Sequence, residues 1–315
     1  MVIGDMVADV YLEGKISRIS REAPVLILEH IAENVVPGGA SNVVHNTATL
    51  SGNVYAVGVV GQDYAGQELV KILKHKHVNT NGLLIDASRP TITKTRIMAG
   101  GQATVRQQIV RIDKEKKQGL DIQTEQAIQE YIARNIASMH GVVISDYGSN
   151  TVTPGMIREI IDSCRKKNIP CIVDSRYNIM EYSGITVVKQ NESEAAAAVG
   201  HDITDQTTLL SAGRAILDKL QTQAVLITRG PDGMTLFEKA DKVTHIPVTN
   251  KSEVYDVTGA GDTVVATMIL ALAAGASYEE AARLSNFAAG IVVKKPGTAT
   301  STLNELCQVI SEYYK

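Results

Sequence analysis

Short apolar runs rich in β-branched residues alternate along the chain with longer stretches of helical periodicity. The apolar runs cover residues 54–60, 141–145, 170–174, 186–189 and 224–228. The helical stretches include residues 65–74, 124–137, 154–167 and 207–220. Strands that are apolar at successive positions are typical of parallel sheets covered on both faces. The alternation therefore predicts an α/β fold with a doubly wound, mostly parallel sheet and helices on both faces.

Residues 10–36 and 91–112 interrupt this rhythm, because their polar and apolar positions interleave without helical spacing. We expect both segments to be extended and to pair as one small sheet over the carboxyl ends of the main strands, where ligands bind in such folds. An alternative is that they are edge hairpins with no part in gating. The expected organisation is one domain over residues 1–315, with these two segments as a β-sheet lid.

Composition and charge argue against several classes of function. The net charge is −3, aromatic residues make up 4% of the chain and Trp is absent, so a nucleic-acid partner is not expected. The three cysteines lack a Cys-x-x-Cys spacing, which indicates thiols rather than a disulfide framework or a zinc site. The most apolar stretch, residues 264–276, is too short to span a bilayer, and the amino end shows no secretory-signal pattern. We therefore expect a cytoplasmic protein without a membrane partner.

The most specific motif is the run Asp-Val-Thr-Gly-Ala-Gly-Asp at residues 256–262, which precedes an apolar helical stretch. Glycines let backbone N–H groups approach an anion closely, and a helix N-terminus adds unsatisfied donors and a positive dipole end. The run therefore predicts a phosphate cradle. Asp262 would then either cap the helix or accept a proton from a hydroxyl that attacks a phosphoryl group. The cradle residues would be Gly259, Ala260 and Gly261.

This run resembles the carboxyl-terminal signature of the PfkB, or ribokinase-like, carbohydrate kinases, which reads Asp-Thr-x-Gly-Ala-Gly-Asp. The resemblance covers nearly the whole chain. It implies a ribokinase-like fold with a small β-sheet lid, ATP and Mg²⁺ as cofactors, an anion hole at residues 259–261 and Asp262 as the catalytic base. Val257 stands where the commoner residue is Thr, which leaves the role of that side chain open.

Further motifs follow the family in order along the chain. The Gly-Gly pair near the amino end would alone predict a tight turn, and the resemblance assigns it to the sugar site. The residues implied for the acceptor are Asp9, at the end of the first strand, and Gly38, Gly39 and Asn42. An amide and a carboxylate suit paired sugar hydroxyls.

The resemblance also implies a nucleotide side and two cation sites. Asn191 and Glu194 would hold Mg²⁺, partly through water, although an acidic first turn of a helix fits the same residues. A second motif would lie near the ATP phosphates, where a hairpin turn is the alternative. Its residues are Thr228, Gly230 and Gly233, and Asn286 would lie near the adenine. A monovalent cation such as K⁺ would be bound by Asp256, Gly297 and Ser301.

Within the family, the runs Ser-Arg-Ile-Ser at 17–20 and Glu-Ala-Pro-Val at 22–25 resemble the heptose 7-phosphate kinase branch. That branch implies phosphorylation of C1 of D-glycero-β-D-manno-heptose 7-phosphate to the 1,7-bisphosphate, in ADP-heptose biosynthesis for lipopolysaccharide. The phosphate of the acceptor would need basic groups in its binding site. The lid carries such residues, although their presence is also explained if that face of the lid is simply exposed to solvent. The candidates are Lys94, Arg96, Arg106 and Arg111.

Two departures from the branch leave the acceptor open. Residues 149–150 read Ser-Asn where the branch has Lys-Gly, and residues 174–176 read Asp-Ser-Arg where it has Asp-Pro-Lys. A kinase for another sugar or a nucleoside, or a catalytically silent sugar-phosphate sensor, are the alternatives. Because an exposed sheet edge invites pairing, a homodimer through the lid is expected.

Overall fold

A computed structural model describes residues 1–100, 107–249 and 254–314. Its strands are β1 (Val2–Gly4), β2 (Met6–Ile19), β3 (Leu26–Gly39), β4 (Tyr55–Gly61), β5 (Asn79–Asp86), β6 (Ile92–Gly100), β7 (Gln107–Lys114), β8 (Val142–Asp146), β9 (Cys171–Ser175), β10 (Val187–Asn191), β11 (Ala224–Thr228), β12 (Met234–Glu238) and β13 (Val243–Ile246). Its α-helices are α1 (Ala40–Thr49), α2 (Tyr64–His75), α3 (Ile122–Asn135), α4 (Pro154–Lys167), α5 (Glu192–Val199), α6 (Gln206–Leu220), α7 (Ala260–Ala273), α8 (Tyr278–Val292) and α9 (Leu303–Tyr313).

The large sheet has the strand order β13-β12-β11-β10-β9-β8-β1-β4-β5. The strands from β11 to β5 run parallel, and β12 and β13 join one edge antiparallel. Neighbouring strand residues enter different cores: Val142 packs with α3 and α4, whereas Val143 packs with α1 and α7. Helices therefore cover both faces, and the predicted doubly wound, mostly parallel fold is confirmed.

The small sheet has the order β3-β2-β6-β7. Residues of the two interrupting segments pair directly, with Val10 on β2 opposite Thr95 on β6 in a parallel register. The predicted pairing of these segments is therefore confirmed, but the strands extend over residues 6–39 rather than 10–36. Residues 6–10 are all buried, so they lack the alternation of polar and apolar residues by which a half-exposed strand is recognised. Part of the second segment, including Arg106, lies outside the described residues.

The two sheets are joined where the candidate site lies. A single residue, Asp5, separates β1 from β2, so the small sheet departs from the carboxyl end of a central parallel strand. The strands β8, β9 and β10 end at the same edge. Ligands bind at this edge in doubly wound folds. No helix among the described residues is long and apolar enough to cross a membrane.

Candidate active site

The glycine-rich run opens α7 at this edge. Gly259 is the N-cap with φ +80°, a left-handed conformation that favours glycine, and the helix begins at Ala260. Asp262 is therefore the third helical residue, and its carboxylate accepts hydrogen bonds from side chains of other elements. The alternative in which Asp262 is the helix cap is wrong, because the helix starts two residues earlier.

The Asp262 carboxylate is buried and held by two donors. Asn42 Nδ2 donates to Oδ2 at 2.8 Å, and Tyr147 Oη donates to Oδ1 at 2.9 Å. Burial raises the pKa of Asp262 to about 6, and the nearby charge of Asp174 adds to that rise, while the hydrogen bonds and Lys189 oppose it. The carboxylate is thus oriented, and burial keeps its pKa, about 6, above the usual range of an aspartate.

A chain of buried amides extends from Asn42 into the contact between α1 and α7. Asn46 Nδ2 donates to Asn42 Oδ1 at 3.0 Å, and Thr263 Oγ1 donates to Asn46 Oδ1 at 2.9 Å. These hydrogen bonds determine the orientation of the Asn42 amide group, with its oxygen toward Asn46 and its N–H toward Asp262. The polar residues that repeat along α1 therefore orient the carboxylate across the helix contact.

Lys189 and Asp174 form the opposite wall of the site. Lys189 Nζ lies 2.8 Å from Asp174 Oδ2, and the side chains are 6% and 11% exposed. Burial opposes the charge on Lys189, but the carboxylates of Asp174 and Glu194 outweigh it and raise its pKa. A positive group is thus fixed beside the glycine-rich turn.

The turn leaves space that side chains would fill. A Cβ on Gly259 would lie 2.6 Å from Asn42 Nδ2, and a Cβ on Gly261 would lie 2.7 Å from Lys189 Nζ. A cavity of about 160 Å³ lies between the turn and the strand ends, and Asp262, Lys189 and Tyr147 are among its lining residues. Backbone N–H groups, a buried cation and a buried carboxylate therefore converge on one small space.

Asn191 and Glu194 lie at the start of α5 and also line this cavity. They form a capping box, in which Asn191 Oδ1 accepts from the Glu194 N–H at 2.8 Å and Glu194 Oε2 accepts from the Asn191 N–H at 2.9 Å. Burial raises the pKa of Glu194. The expected acidic helix start is present, and its carboxylate lies on the cavity wall.

The chain was compared with known families and proteins. A sequence profile described as the pfkB family of carbohydrate kinases matches residues 1–305. The chain belongs to this family. It is 39% identical to the Bifunctional protein HldE of Pelobacter propionicus over 312 residues, which are 99% of this chain and 63% of that protein. The HldE of Geobacter sulfurreducens is 40% identical over 307 residues, 97% of this chain and 61% of that protein. The chain thus spans less than two thirds of these relatives.

Solved structures share the fold at lower identity. Phosphofructokinase-2 from Escherichia coli, in complex with substrates and products, aligns over 100% of both chains with a TM-score of 0.78 and 21% identity. Ribokinase of Arabidopsis thaliana, complexed with ribose and ATP, covers 98% of this chain and 97% of its own, with a TM-score of 0.74 and 19% identity. The predicted ribokinase-like fold is confirmed.

The residues predicted for the acceptor side of this pfkB family member lie on β2, at the end of β3 and on α1. Asp9 lies within β2, so its expected place at the end of the first strand is wrong: β1 already ends at Gly4. A Cβ on Gly38 would lie 2.6 Å from Asp9 Oδ2, and Gly39, with φ +53°, is the N-cap of α1. The Gly-Gly pair thus joins β3 to α1 and lets the chain pass close to Asp9.

The small-sheet cations differ in their partners. Arg96 pairs with Asp9 at 2.6 Å, and Arg111 pairs with Asp113 at 2.8 Å, half-exposed on β7. Lys94 lies over the Tyr147 ring, with Nζ 4.9 Å from the centroid, and burial lowers its pKa. Lys94 therefore contacts a residue that lines the cavity, while the two arginines are paired within the small sheet.

The predicted nucleotide-side residues follow the neighbouring strand. Thr228 lies opposite Asn191 in the β10–β11 register. Gly230 and Gly233, with φ +53° and +81°, form the turn between β11 and β12, so the predicted hairpin is present. Asn286 is buried on α8 and donates to the Pro247 carbonyl at 2.7 Å. Thr228 is thus one strand away from the Asn191–Glu194 capping box.

The residues expected to bind a monovalent cation lie on two loops, one before α7 and one between α8 and α9. Asp256 Oδ2 accepts from the Gly297 N–H at 3.0 Å. Ser301 is fully buried, and its hydroxyl has no hydrogen-bond partner among the described residues. Buried hydroxyls normally have partners, so this oxygen is available to another ligand.

Five lining residues had no assigned role in the sequence prediction: Asp146, Tyr147, Asp174, Arg176 and Lys189. Each lies within or directly after one of the strands β8, β9 and β10. Polar residues at the carboxyl ends of parallel strands are placed by the fold at its ligand-binding edge. That positional rule, applied to every predicted strand, could have identified them.

Proposed function

We propose that the chain transfers the γ-phosphoryl group of ATP to a sugar hydroxyl. The observation that carries this proposal is the buried, doubly hydrogen-bonded Asp262 carboxylate beside a glycine turn that leaves room for an anion. A general base next to preorganised N–H donors is what phosphoryl transfer to an alcohol requires.

In this mechanism Asp262 accepts the proton of the attacking hydroxyl. Gly259 and Gly261 line the cavity, and their N–H groups and the ammonium of Lys189 would face the charge that develops on the transferred group. The Ala260 N–H instead donates to the Val257 carbonyl at 3.2 Å. Because burial raises the pKa of Asp262 to about 6, the carboxylate is ionised at neutral pH and basic enough to share a proton.

The residues present fit magnesium and nucleotide. Mg²⁺ prefers oxygen ligands and retains waters, and Glu194 and Asn191 bring such oxygens to the cavity wall. Bound Mg²⁺ would neutralise phosphate charge. Thr228, Gly230 and Gly233 would border the phosphates from the next strand, and Asn286 would lie on the adenine side.

We infer that the acceptor is D-glycero-β-D-manno-heptose 7-phosphate, phosphorylated at C1. The support is the lid-strand resemblance at residues 17–25 and about 40% identity, over nearly the whole chain, to proteins named HldE. Gly38, Gly39 and Asn42 would surround the sugar. The acceptor phosphate would meet Lys94, with Arg96 and Arg111 at the margin of the same sheet face.

An acceptor panel tests this proposal. ADP release is measured with heptose 7-phosphate, the unphosphorylated heptose, fructose 6-phosphate, ribose and a nucleoside, and the product is identified by phosphorus NMR. We expect turnover with the heptose 7-phosphate and a 1,7-bisphosphate product. Faster turnover of another acceptor would replace the substrate assignment, and no ADP release across the panel would favour a silent sugar-phosphate sensor.

The loop between α8 and α9, which contains Gly297 and Ser301, supports a monovalent-cation site. The buried Ser301 hydroxyl without a hydrogen-bond partner among the described residues is the observation that fits a K⁺ ligand. Asp256, on the loop before α7, contacts Gly297 and would supply negative charge. A bound cation there would neutralise charge next to the glycine turn.

We further propose a homodimer through the small sheet and a cytoplasmic location. Lys94 and Arg111 lie on the same, charged face of β6 and β7. Because side chains alternate between the two faces along a strand, the residues next to Arg111 on β7 point to the other face. Val110 and Ile112 lie on that face and are 46% and 53% exposed. Exposed apolar side chains on a sheet with free edges favour self-association.

A further inference from the structure

Tyr147 lies between the small sheet and Asp262. Its hydroxyl donates to Asp262 Oδ1 at 2.9 Å, and its ring receives the Lys94 ammonium at 4.9 Å. Lys94 belongs to β6 and Asp262 to α7. One aromatic side chain therefore contacts a group from each side of the cavity.

The loop that carries Tyr147 is fixed from below by two buried carboxylates. The N–H groups of Tyr147 and Ser149 donate to Asp5 Oδ2 at 2.8 and 3.1 Å. The Gly148 N–H donates to Asp146 Oδ1 at 2.9 Å. Because three successive N–H groups are anchored, the phenol has a defined position and can orient the carboxylate that it contacts.

The contacts around the ring suit that task. A neutral phenol that donates to a carboxylate oxygen favours the ionised carboxylate, and each oxygen keeps a further lone pair for a substrate proton. Burial, followed by the charge of Asp262, raises the pKa of Tyr147 well above its usual value, so the phenol stays protonated. A cation over the ring draws electron density from it and strengthens the O–H donor.

We propose that Tyr147 is a positioning residue, whose hydroxyl orients the Asp262 carboxylate and whose ring couples that orientation to Lys94 of the small sheet. The inference rests on the proposed function and deepens it. Tyr147 acts through Asp262 rather than on the reacting atoms. If the small sheet closes on an acceptor, the movement of Lys94 would thus change the orientation of the Asp262 carboxylate through the Tyr147 side chain.

Other charges also act on this pair and must stay constant in a test. The charged groups around Asp262 and Tyr147 are Asp174 on β9, Arg176 after β9, Lys189 on β10, Glu194 on α5 and Lys94 on β6. Burial has the largest effect on the pKa of Asp262 and raises it, while the Tyr147 hydrogen bond lowers it. A variant that removes only the hydroxyl therefore isolates one contribution.

Tyr147→Phe keeps the ring and removes the donor. The pKa of Asp262 then rises above about 6, the base stays protonated to a higher pH, and the acidic limb of the kcat profile moves to higher pH. We expect kcat to fall at least about tenfold, since hydrogen bonds to charged groups are the strong ones, with KM for ATP unchanged. The matched control is Tyr131→Phe on α3, which loses a 3.3 Å hydroxyl bond to Asn79 Oδ1 away from the cavity and should not move the limb.

Two more variants test the coupling and guard against misfolding. Tyr147→3-fluorotyrosine keeps the ring and strengthens the donor, so the acidic limb should move to lower pH. Lys94→Met should move the limb to higher pH in the parent protein and not in Tyr147→Phe. Equal shifts by Lys94→Met in both backgrounds would overturn the coupling through the ring.

A readout without turnover separates this inference from the proposed function. The ¹³C carboxyl titration of Asp262, assigned by its loss in Asp262→Asn, should move upward in Tyr147→Phe even in a protein that phosphorylates no acceptor. A parent protein inactive on the whole panel with that shift present would overturn only the proposed function. An unchanged Asp262 titration in correctly folded Tyr147→Phe would overturn the positioning role.

Discussion

Gly261 lies at the second position of α7, directly before Asp262. Because it has no side chain, the Lys189 ammonium can lie close to the helix backbone at this position. A Cβ at this position would lie 2.7 Å from Lys189 Nζ and 3.6 Å from its Cε. The ammonium is at the same time 2.8 Å from Asp174 Oδ2. Gly261→Ala therefore displaces a buried charge next to the anion cradle and adds one methyl group.

The structure sets the size of this effect. To regain ordinary contact the ammonium must retreat by roughly 0.8 Å from its 2.7 Å approach, because nonbonded atoms pack best at about 3.5 Å. Alanine in a helix is more stable than glycine by about 0.5–1 kcal/mol, which offsets much of the cost of shifting the Lys189–Asp174 pair. Catalysis has no such offset: a misplacement of 1 Å can cost about 10²-fold, so we expect kcat to fall about tenfold.

The assay compares kcat and melting temperature with those of a matched variant. Gly155 also occupies the second position of a helix, α4, but a Cβ there would meet its nearest atoms at 3.8 and 3.9 Å. Gly155→Ala should gain the helix stability and keep full activity. If Gly261→Ala retains kcat within about twofold, or if both variants lose activity equally, the role given to the displaced ammonium is refuted.

Three further predictions address the base, the acceptor and the assembly. Asp262→Asn should lower kcat by about 10²–10⁴-fold and leave the affinity for ATP, measured by calorimetry, unchanged. Because burial raises the pKa of Asp262 to about 6, kcat of the parent protein should fall about tenfold per pH unit below that pH. Lys94→Met should raise KM for a phosphorylated acceptor more than Arg111→Met does, because that arginine is already paired. Ile112→Glu should yield a monomer in analytical ultracentrifugation, while the 74% exposed Ile122, changed to Glu, should not alter the assembly.

Each of these predictions has an opposing result. Near-normal turnover of Asp262→Asn would remove Asp262 from the mechanism. An equal rise in KM for acceptors with and without a phosphate would show that Lys94 does not recognise the phosphate. A dimer that survives Ile112→Glu would place the interface elsewhere.

The large sheet could be predicted because its signal is local. The apolar run at residues 141–145 becomes β8, Val142–Asp146, and the helical stretch at 154–167 is α4 with the same bounds. The strands that were missed are β5, which begins with the polar Asn79–Asn81, and β13, which has four residues. Short or polar strands are stabilised by their neighbours in the sheet rather than by their own pattern.

The candidate base could be recognised from its motif, but its surroundings could not. Asn42 and Tyr147 are 220 and 115 residues from Asp262 in the chain, and only the packing of α1 and β8 against α7 brings them to its carboxylate. The helix start also depends on geometry, since Gly259 adopts φ +80° and is the cap, three residues before Asp262, the cap position suggested by the apolar run that follows it.

For the cations of the small sheet, some ion pairs could have been predicted from the sequence and others could not. Arg111 and Asp113 are two residues apart, so on any strand they share a face, and their ion pair was open to prediction. The pair between Arg96 and Asp9 depends on the β2–β6 register, which hydrophobic alternation does not determine when both strands are polar on one face. Arg96 and Arg111 are paired within the sheet, whereas the Lys94 ammonium lies over the ring of Tyr147, which lines the cavity together with the cations Arg176 and Lys189. We therefore expect discrimination among phosphorylated acceptors to depend on Lys94, which also contacts the ring that we propose orients the base.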